Sequence, residues 1–265
     1  MSSDIGPRRL GLRAFAWVVG AVLIAPTLLI VPMSFSSGGI LRFPPPGFGT
    51  RWYANFFESD TWTAGAVTSV KVGVAAAALA TVLGTLMALG LVRGRYPGRG
   101  LVTAVVLSPL IVPVVVIAIG MYFVYTEWRL AGTLGGLILG HTTLAIPFVV
   151  VNVSVSLRTF DRTLELAAQN LGAGPVRTFF RVTLPLISPS IVAGALFAFI
   201  ASWDEVVVSI FLSSPIVRTL PVVMWGQVRS SIDPTIAAVA TMLTGITIVV
   251  LSLVMVAQRR ARSTR

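Results

Sequence analysis

Along this chain apolar residues do not recur at the spacing of a half-buried helix or strand; they run on for twenty residues and more, six times. The runs are Ala14–Phe35, Val72–Val92 (with Ala64–Lys71 leading in), Leu101–Tyr125, Leu134–Leu157, Ser190–Leu212 and Ile236–Ala257. A helix needs about 20 apolar residues to cross hydrocarbon, so the pattern predicts about six transmembrane helices. A closed barrel is excluded, because its strands alternate apolar and polar positions. Pro26, Pro109, Pro113 and Pro147 lie inside runs and predict kinks. The first run has the basic flank of a secretory signal, but its 22 residues exceed a usual signal core. It is expected to be an uncleaved span.

The polar segments between runs give the orientation. Six spans put both termini on one side, with Arg8, Arg9, Arg13, Arg93, Arg95, Arg99, Arg158, Arg162, Arg177, Arg181, Arg259, Arg260, Arg262 and Arg265. The other side holds Arg42, Arg51, Arg129, Arg218 and Arg229, and Lys71 sits at an outer membrane edge, where it can snorkel. Fourteen against five places the termini in the cytoplasm. This placement also explains the net charge of +11, which would otherwise suggest nucleic acid. With 55% hydrophobic and 11% charged residues, and a mean hydropathy of +0.91, a soluble domain of this size is excluded.

On the outer side, Ser36–Thr63 carries the stretch FPPPGFGTRWYANFF. Trp52, Tyr53, Phe56 and Phe57 are spaced for a short interfacial helix. It serves either to anchor the protein at the interface or to dock an external partner.

The segment from Arg158 to Pro189 predicts a helix–turn–helix on the cytoplasmic face. Asp161 caps a first helix reaching about Leu171. Gly172-Ala173-Gly174 turns the chain, Pro175 opens a second helix, and Pro185 is expected to stop it. These residues resemble the EAA loop of binding-protein-dependent ABC importer permeases. That pattern runs Glu-Ala-Ala, three residues, Gly, nine residues, Ile, any residue, Leu-Pro. Ala167, Ala168, Gly172, Val182, Leu184 and Pro185 occupy its positions at the same spacing. The chain departs at the motif glutamate, where it has Leu166 with Glu165 one residue earlier, an offset of about 100° around a helix. The resemblance implies that this loop seats on an ATPase subunit. Phe179 and Phe180 are expected to be apolar knobs, and Arg177 and Arg181 to share a face, toward acidic groups or lipid phosphates. A DNA-reading helix–turn–helix has a similar outline, but membrane spans close to both ends leave it little reach to a groove.

The fifth run, IVAGALFAFIASWDEVVVSIFL, contains Asp204 and Glu205. Each acid at mid-membrane costs about 2.5–3.5 kcal/mol on insertion scales, so such groups face a cavity or a partner. Both can border one opening, and Trp203 beside them offers a face for a cation. The reading is a path for a cationic or hydrogen-bonding solute; otherwise one acid is protonated or pairs with a partner subunit's arginine. Trp203 through Ser209 resembles the stretch after the EAA loop in spermidine/putrescine importer permeases, and the PPPGF…RWY loop is similar to their second permease subunit. The resemblance implies a substrate path at Trp203, Asp204, Glu205 and Ser209. His141 in the fourth span reads as a helix–helix hydrogen-bonding residue or a proton relay.

Without cysteine there is no disulfide or thiolate site, and no metal cluster or catalytic set is legible. The single lysine, Lys71, is not in a phosphate loop, so the chain is not itself an ATPase. The expectation is one all-α permease domain over residues 1–265, in the type I importer fold. The resemblance implies no cofactor here, with ATP and Mg held by two partner ATPases. It also implies a similar second permease, an extracytoplasmic solute-binding protein, and a polyamine-like solute. The alternative is an ion-coupled secondary transporter using Asp204, Glu205 and His141, which would normally show inverted repeats.

Overall fold

The computed structural model describes residues 7–230 and 233–263. Arg265 lies outside them, as do the side chains of Arg8, Arg9, Arg259, Arg260 and Arg262. Among the described residues the structure is helical: α1 (Pro7–Ser34), α2 (Arg51–Glu58), α3 (Asp60–Arg93), α4 (Arg99–Leu107), α5 (Val114–Glu127), α6 (Leu134–Thr159), α7 (Thr163–Asn170), α8 (Pro175–Thr178), α9 (Leu184–Trp203), α10 (Val207–Leu212), α11 (Leu220–Ser230) and α12 (Thr235–Ser263). Among the described residues five helices are long and apolar enough to span a membrane, and a bent pair counted as one span brings the number to six.

The chain divides into two compact units, Met1–Asp60 with Met224–Gly245, and Thr61–Val223 with Ile246–Arg265. In the first, Ser34 Oγ meets Tyr53 Oη at 2.7 Å, and Asn55 Nδ2 donates to Thr235 Oγ1 at 2.7 Å. The expected short helix forms as α2, but Trp52 and Phe56 are buried in protein, Tyr53 is half-buried, and Phe57 is open to lipid or solvent.

The second unit is built around a close approach of three helices. The buried face of α3 carries Gly65, Ser69, Gly73, Ala76, Ala80, Gly84 and Ala88, at spacings of three and four. Small residues let helix backbones approach where lipid supplies no hydrophobic drive. A Cβ at Gly84 would lie 2.8 Å from Val149 Cβ, and one at Gly194 would lie 3.0 Å from Val149 Cα. Val149 of α6 thus fills notches in both α3 and α9. Around it Ala77, Ala80, Ala145, Val153, Ile187 and Ala198 complete a buried core.

Three elements depart from the sequence reading. The third run is not one kinked helix: Arg99–Leu110 and Val114–Glu127 meet at 103°. Pro113 lacks the N–H a continuous helix needs and disfavours the helical conformation at Val112. Pro185 does not stop the second helix of the hairpin. The backbone widens into a π-helix at Phe179–Thr183, the Leu184 N–H bonds to Phe179 O, and the helix continues into α9. A wide turn relieves the clash a proline makes with the carbonyl four residues earlier. The fifth run is also interrupted, since α9 ends at Trp203 and α10 begins at Val207.

Candidate functional site

The hairpin of α7, α8 and the π-helix is held at its start, its turn and its root. At the start, the Thr163 N–H donates to Asp161 Oδ1 at 2.9 Å, which keeps the Asp161 carboxyl below its usual pKa. At the turn, Gly172 has φ 84°, a left-handed conformation that disfavours side chains. At the root, Arg93 Nη2 of α3 lies 2.6 Å from Glu165 Oε1, and the Thr183 hydroxyl donates to the same oxygen. The Arg93 guanidinium also lies over the Phe160 ring, 5.7 Å from its centroid.

Glu165 therefore points into its own subunit and ties the hairpin to the end of α3. Leu166, at the motif glutamate position, is exposed together with Ala167, whereas Ala168 is half-buried. Leu171 is 89% exposed, Val176 70% and Phe180 60%, which leaves apolar knobs on the hairpin surface. Phe179, expected beside Phe180 as a second knob, is half-buried, its ring edge-on to Phe180 at 5.1 Å. Between the two helical arms lies a cleft of about 270 Å³ bordered by Ala168, Leu171, Arg177, Arg181 and Val182. Leu184 is half-buried and Pro185 exposed where the hairpin enters α9. A surface combining apolar knobs with two guanidinium groups suits a protein partner that offers both carboxylates and an apolar groove.

The break in the fifth span arranges the other candidate residues. Asp204 closes α9 through its N–H, which donates to Ile200 O at 3.1 Å, and is itself exposed. Glu205 is partly buried, and its carboxylate accepts the Val208 N–H at 2.8 Å, capping the start of α10. The two acids thus differ: the Asp204 carboxylate has no ion pair among the described residues, and the Glu205 carboxylate holds a helix end. Trp203 offers no face to a solute: it is 3% exposed and stacked on Phe199 at 5.5 Å.

His141 spans the break. Its Nδ1 lies 2.7 Å from Ser202 Oγ at the end of α9, and its Nε2 lies 2.8 Å from Ser209 Oγ in α10. Ser209 Oγ in turn donates to the Glu205 carbonyl at 3.1 Å. His141 is 1% exposed, so this bridge is internal. Of the candidates, Ser209 and Glu205 come together, while Asp204 stands apart from them. Arg93, Thr183 and Ser202 were not singled out from the sequence. Arg93 and Glu165 are 72 positions apart, and no local pattern joins them.

Residues 80–262 match the family described as binding-protein-dependent transport system inner membrane component, a stretch that takes in the hairpin and the broken fifth span. The chain belongs to this family. The permease is 35% identical over 232 residues to the putrescine transport system permease protein PotI of Escherichia coli (strain K12), covering 84% of this chain and 82% of that one. It is 33% identical over 243 residues to the spermidine/putrescine transport system permease protein PotC of Haemophilus influenzae, covering 92% of each. Its fold matches a chain from the crystal structure of a bacterial ABC transporter involved in the import of the acidic polysaccharide alginate. There the TM-score is 0.71 at 14% identity, over 97% of this chain and 98% of that one. The protein is accordingly a multi-pass inner-membrane permease subunit of an ABC importer, and its relatives are permease subunits rather than enzymes. The ion-coupled alternative falls with this membership. Both ring nitrogens of His141 meet serine hydroxyls.

Proposed function

We propose that this permease forms half of the translocation path for a small cationic solute of the polyamine class, and that ATP hydrolysis on separate subunits drives the uptake. The observation that carries the reading is Asp204, an exposed carboxylate at the helix break that directly follows the membrane-span helix ending at Trp203. An exposed carboxylate at the end of a membrane helix attracts a cationic solute by charge. Two relatives named for putrescine and spermidine support the same charge class.

In this reading residues 1–265 act as one permease domain with both termini in the cytoplasm, in keeping with the distribution of arginines. A similar second permease completes the path, and an extracytoplasmic binding protein delivers the solute. Two ATPase subunits hold the ATP and Mg, and each permease hairpin seats on one of them. The knobs Leu166, Leu171, Val176 and Phe180 enter a groove on the ATPase, with Arg177 and Arg181 facing its acids. Closure of the ATPases then pushes the hairpin, which moves α9 through the continuous helix and α3 through Arg93–Glu165. Asp204 lines the path, and Glu205, Ser209 and Trp203 shape the break that presents it.

The test is putrescine uptake by the reconstituted complex carrying Asp204→Asn. Uptake is expected to fall about tenfold or more, the loss of one charge-assisted contact, with assembly and ATP hydrolysis retained. Unchanged uptake rejects Asp204 as a path residue.

A further inference from the structure

A second cavity lies away from the hairpin cleft and the broken fifth span. It has a volume of about 200 Å³ and is walled by α3, α4 and α6. Its apolar wall includes Leu91, Val92, Leu107 and Val151. Arg99, at the first turn of α4, and Arg158, in the last turn of α6, line the same cavity.

The distribution of polarity along this slot is directional. On α6 it follows Val150, Val151, Ser154, Val155 and Arg158, residues on one helical stripe that rises about 12 Å. The stripe is apolar toward the membrane interior and basic where the helix ends. Arg99 reaches only the Gly94 carbonyl, at 3.4 Å, and Arg158 has no ion pair among the described residues. No acid lines the cavity. Two guanidinium groups brought to one cavity repel each other unless an anion joins them. A phosphodiester supplies that anion, with oxygens that match the guanidinium fork. An acyl chain attached to it suits the valine and leucine wall.

We propose that this slot binds one anionic phospholipid, its headgroup phosphate between Arg99 and Arg158 and an acyl chain along Leu107, Val151 and Val155. The site holds the end of α3, the start of α4 and the end of α6 together at the membrane face that carries the hairpin. It does not depend on which solute crosses. A carboxylate of a neighbouring subunit is the competing anion, and the experiment separates the two.

The complex is reconstituted into vesicles of equimolar phosphatidylcholine and phosphatidylglycerol, extracted gently, and its retained lipid measured by native mass spectrometry. The unchanged complex is expected to retain phosphatidylglycerol in preference to phosphatidylcholine. Arg99→Gln with Arg158→Gln should weaken that retention about twenty-fivefold, at about fivefold per arginine near an anionic headgroup. Arg95→Gln, which alters an exposed arginine outside the slot, should leave it intact. Val151→Trp fills the apolar wall without touching either arginine and should also displace the lipid, so the result does not rest on one variant. Equal retention of phosphatidylglycerol by the double-glutamine complex overturns the proposal. So does a carbodiimide cross-link joining the Arg158→Lys side chain to a partner-subunit carboxylate.

Discussion

Arg93, at the end of the long helix α3, and Glu165, in the first arm of the hairpin, meet at 2.6 Å across 72 positions of sequence. The same carboxylate oxygen also receives the Thr183 hydroxyl from the second arm. One acid thereby holds both arms and a membrane helix. A push on the hairpin reaches α3 directly as well as α9.

Arg93→Ala or Glu165→Gln should therefore loosen coupling rather than abolish folding. Losing a charge-assisted bond of about 1.5–3 kcal/mol is expected to lower solute transported per ATP hydrolysed about fivefold or more. The exchange Arg93→Glu with Glu165→Arg should recover part of it. The check is the ratio of uptake to phosphate release; a ratio unchanged in both single variants shows that the pair transmits nothing.

Gly172 gives a cleaner test of the hairpin's shape. No atom lies within 4 Å of where its Cβ would be, so only the backbone conformation at φ 84° opposes a side chain. Gly172→Asn, which tolerates that conformation, should be mild. Gly172→Val should cost about 1–3 kcal/mol and reduce co-purification of the ATPase. Equal behaviour of the two variants contradicts a conformational role.

Much of the fold is legible in the sequence because lipid imposes long uninterrupted apolar runs, and these mark the spans. The glycine turn at Gly172 and the helix start at Pro175 are legible for a local reason, their backbone preferences. The breaks are not. Pro109 and Pro113 announce a disturbance but not a 103° bend. The helix stop at Trp203 depends on Glu205 capping α10, a choice made by a hydrogen bond rather than by hydropathy. The π-helix that carries the chain past Pro185 depends on how the hairpin joins α9. The Glu165 contact is invisible for another reason, since its partner belongs to a distant helix.

The packing of α3 on α6 predicts a steric variant with a defined remedy. Gly84→Ala places its Cβ 2.8 Å from Val149 Cβ, so the two helices must separate. Such overpacking costs about 1–3 kcal/mol and should lower the thermal midpoint. Adding Val149→Ala removes the two methyl carbons but not the clashing Cβ, whereas Val149→Gly removes the clash. Midpoints ordered with the Val149→Gly double variant above the Val149→Ala one identify this contact as the cause; the reverse order excludes it.

His141 holds Ser202 and Ser209 on either side of the break. His141→Ala should cost about 1 kcal/mol, as expected for hydrogen bonds between membrane helices, and should speed amide exchange in the segment Asp204–Ser209. Exchange that stays the same there, with the protein otherwise folded, shows that the bridge does not set the break.

In the proposed function, nucleotide hydrolysis on partner subunits powers uptake through this permease. The most direct measurement uses proteoliposomes with the permease, its partner permease, both ATPases and the solute-binding protein, supplied with labelled putrescine. Uptake should require ATP and the binding protein and ignore an imposed proton gradient. Uptake driven by the proton gradient through the permease alone, without nucleotide, would contradict it.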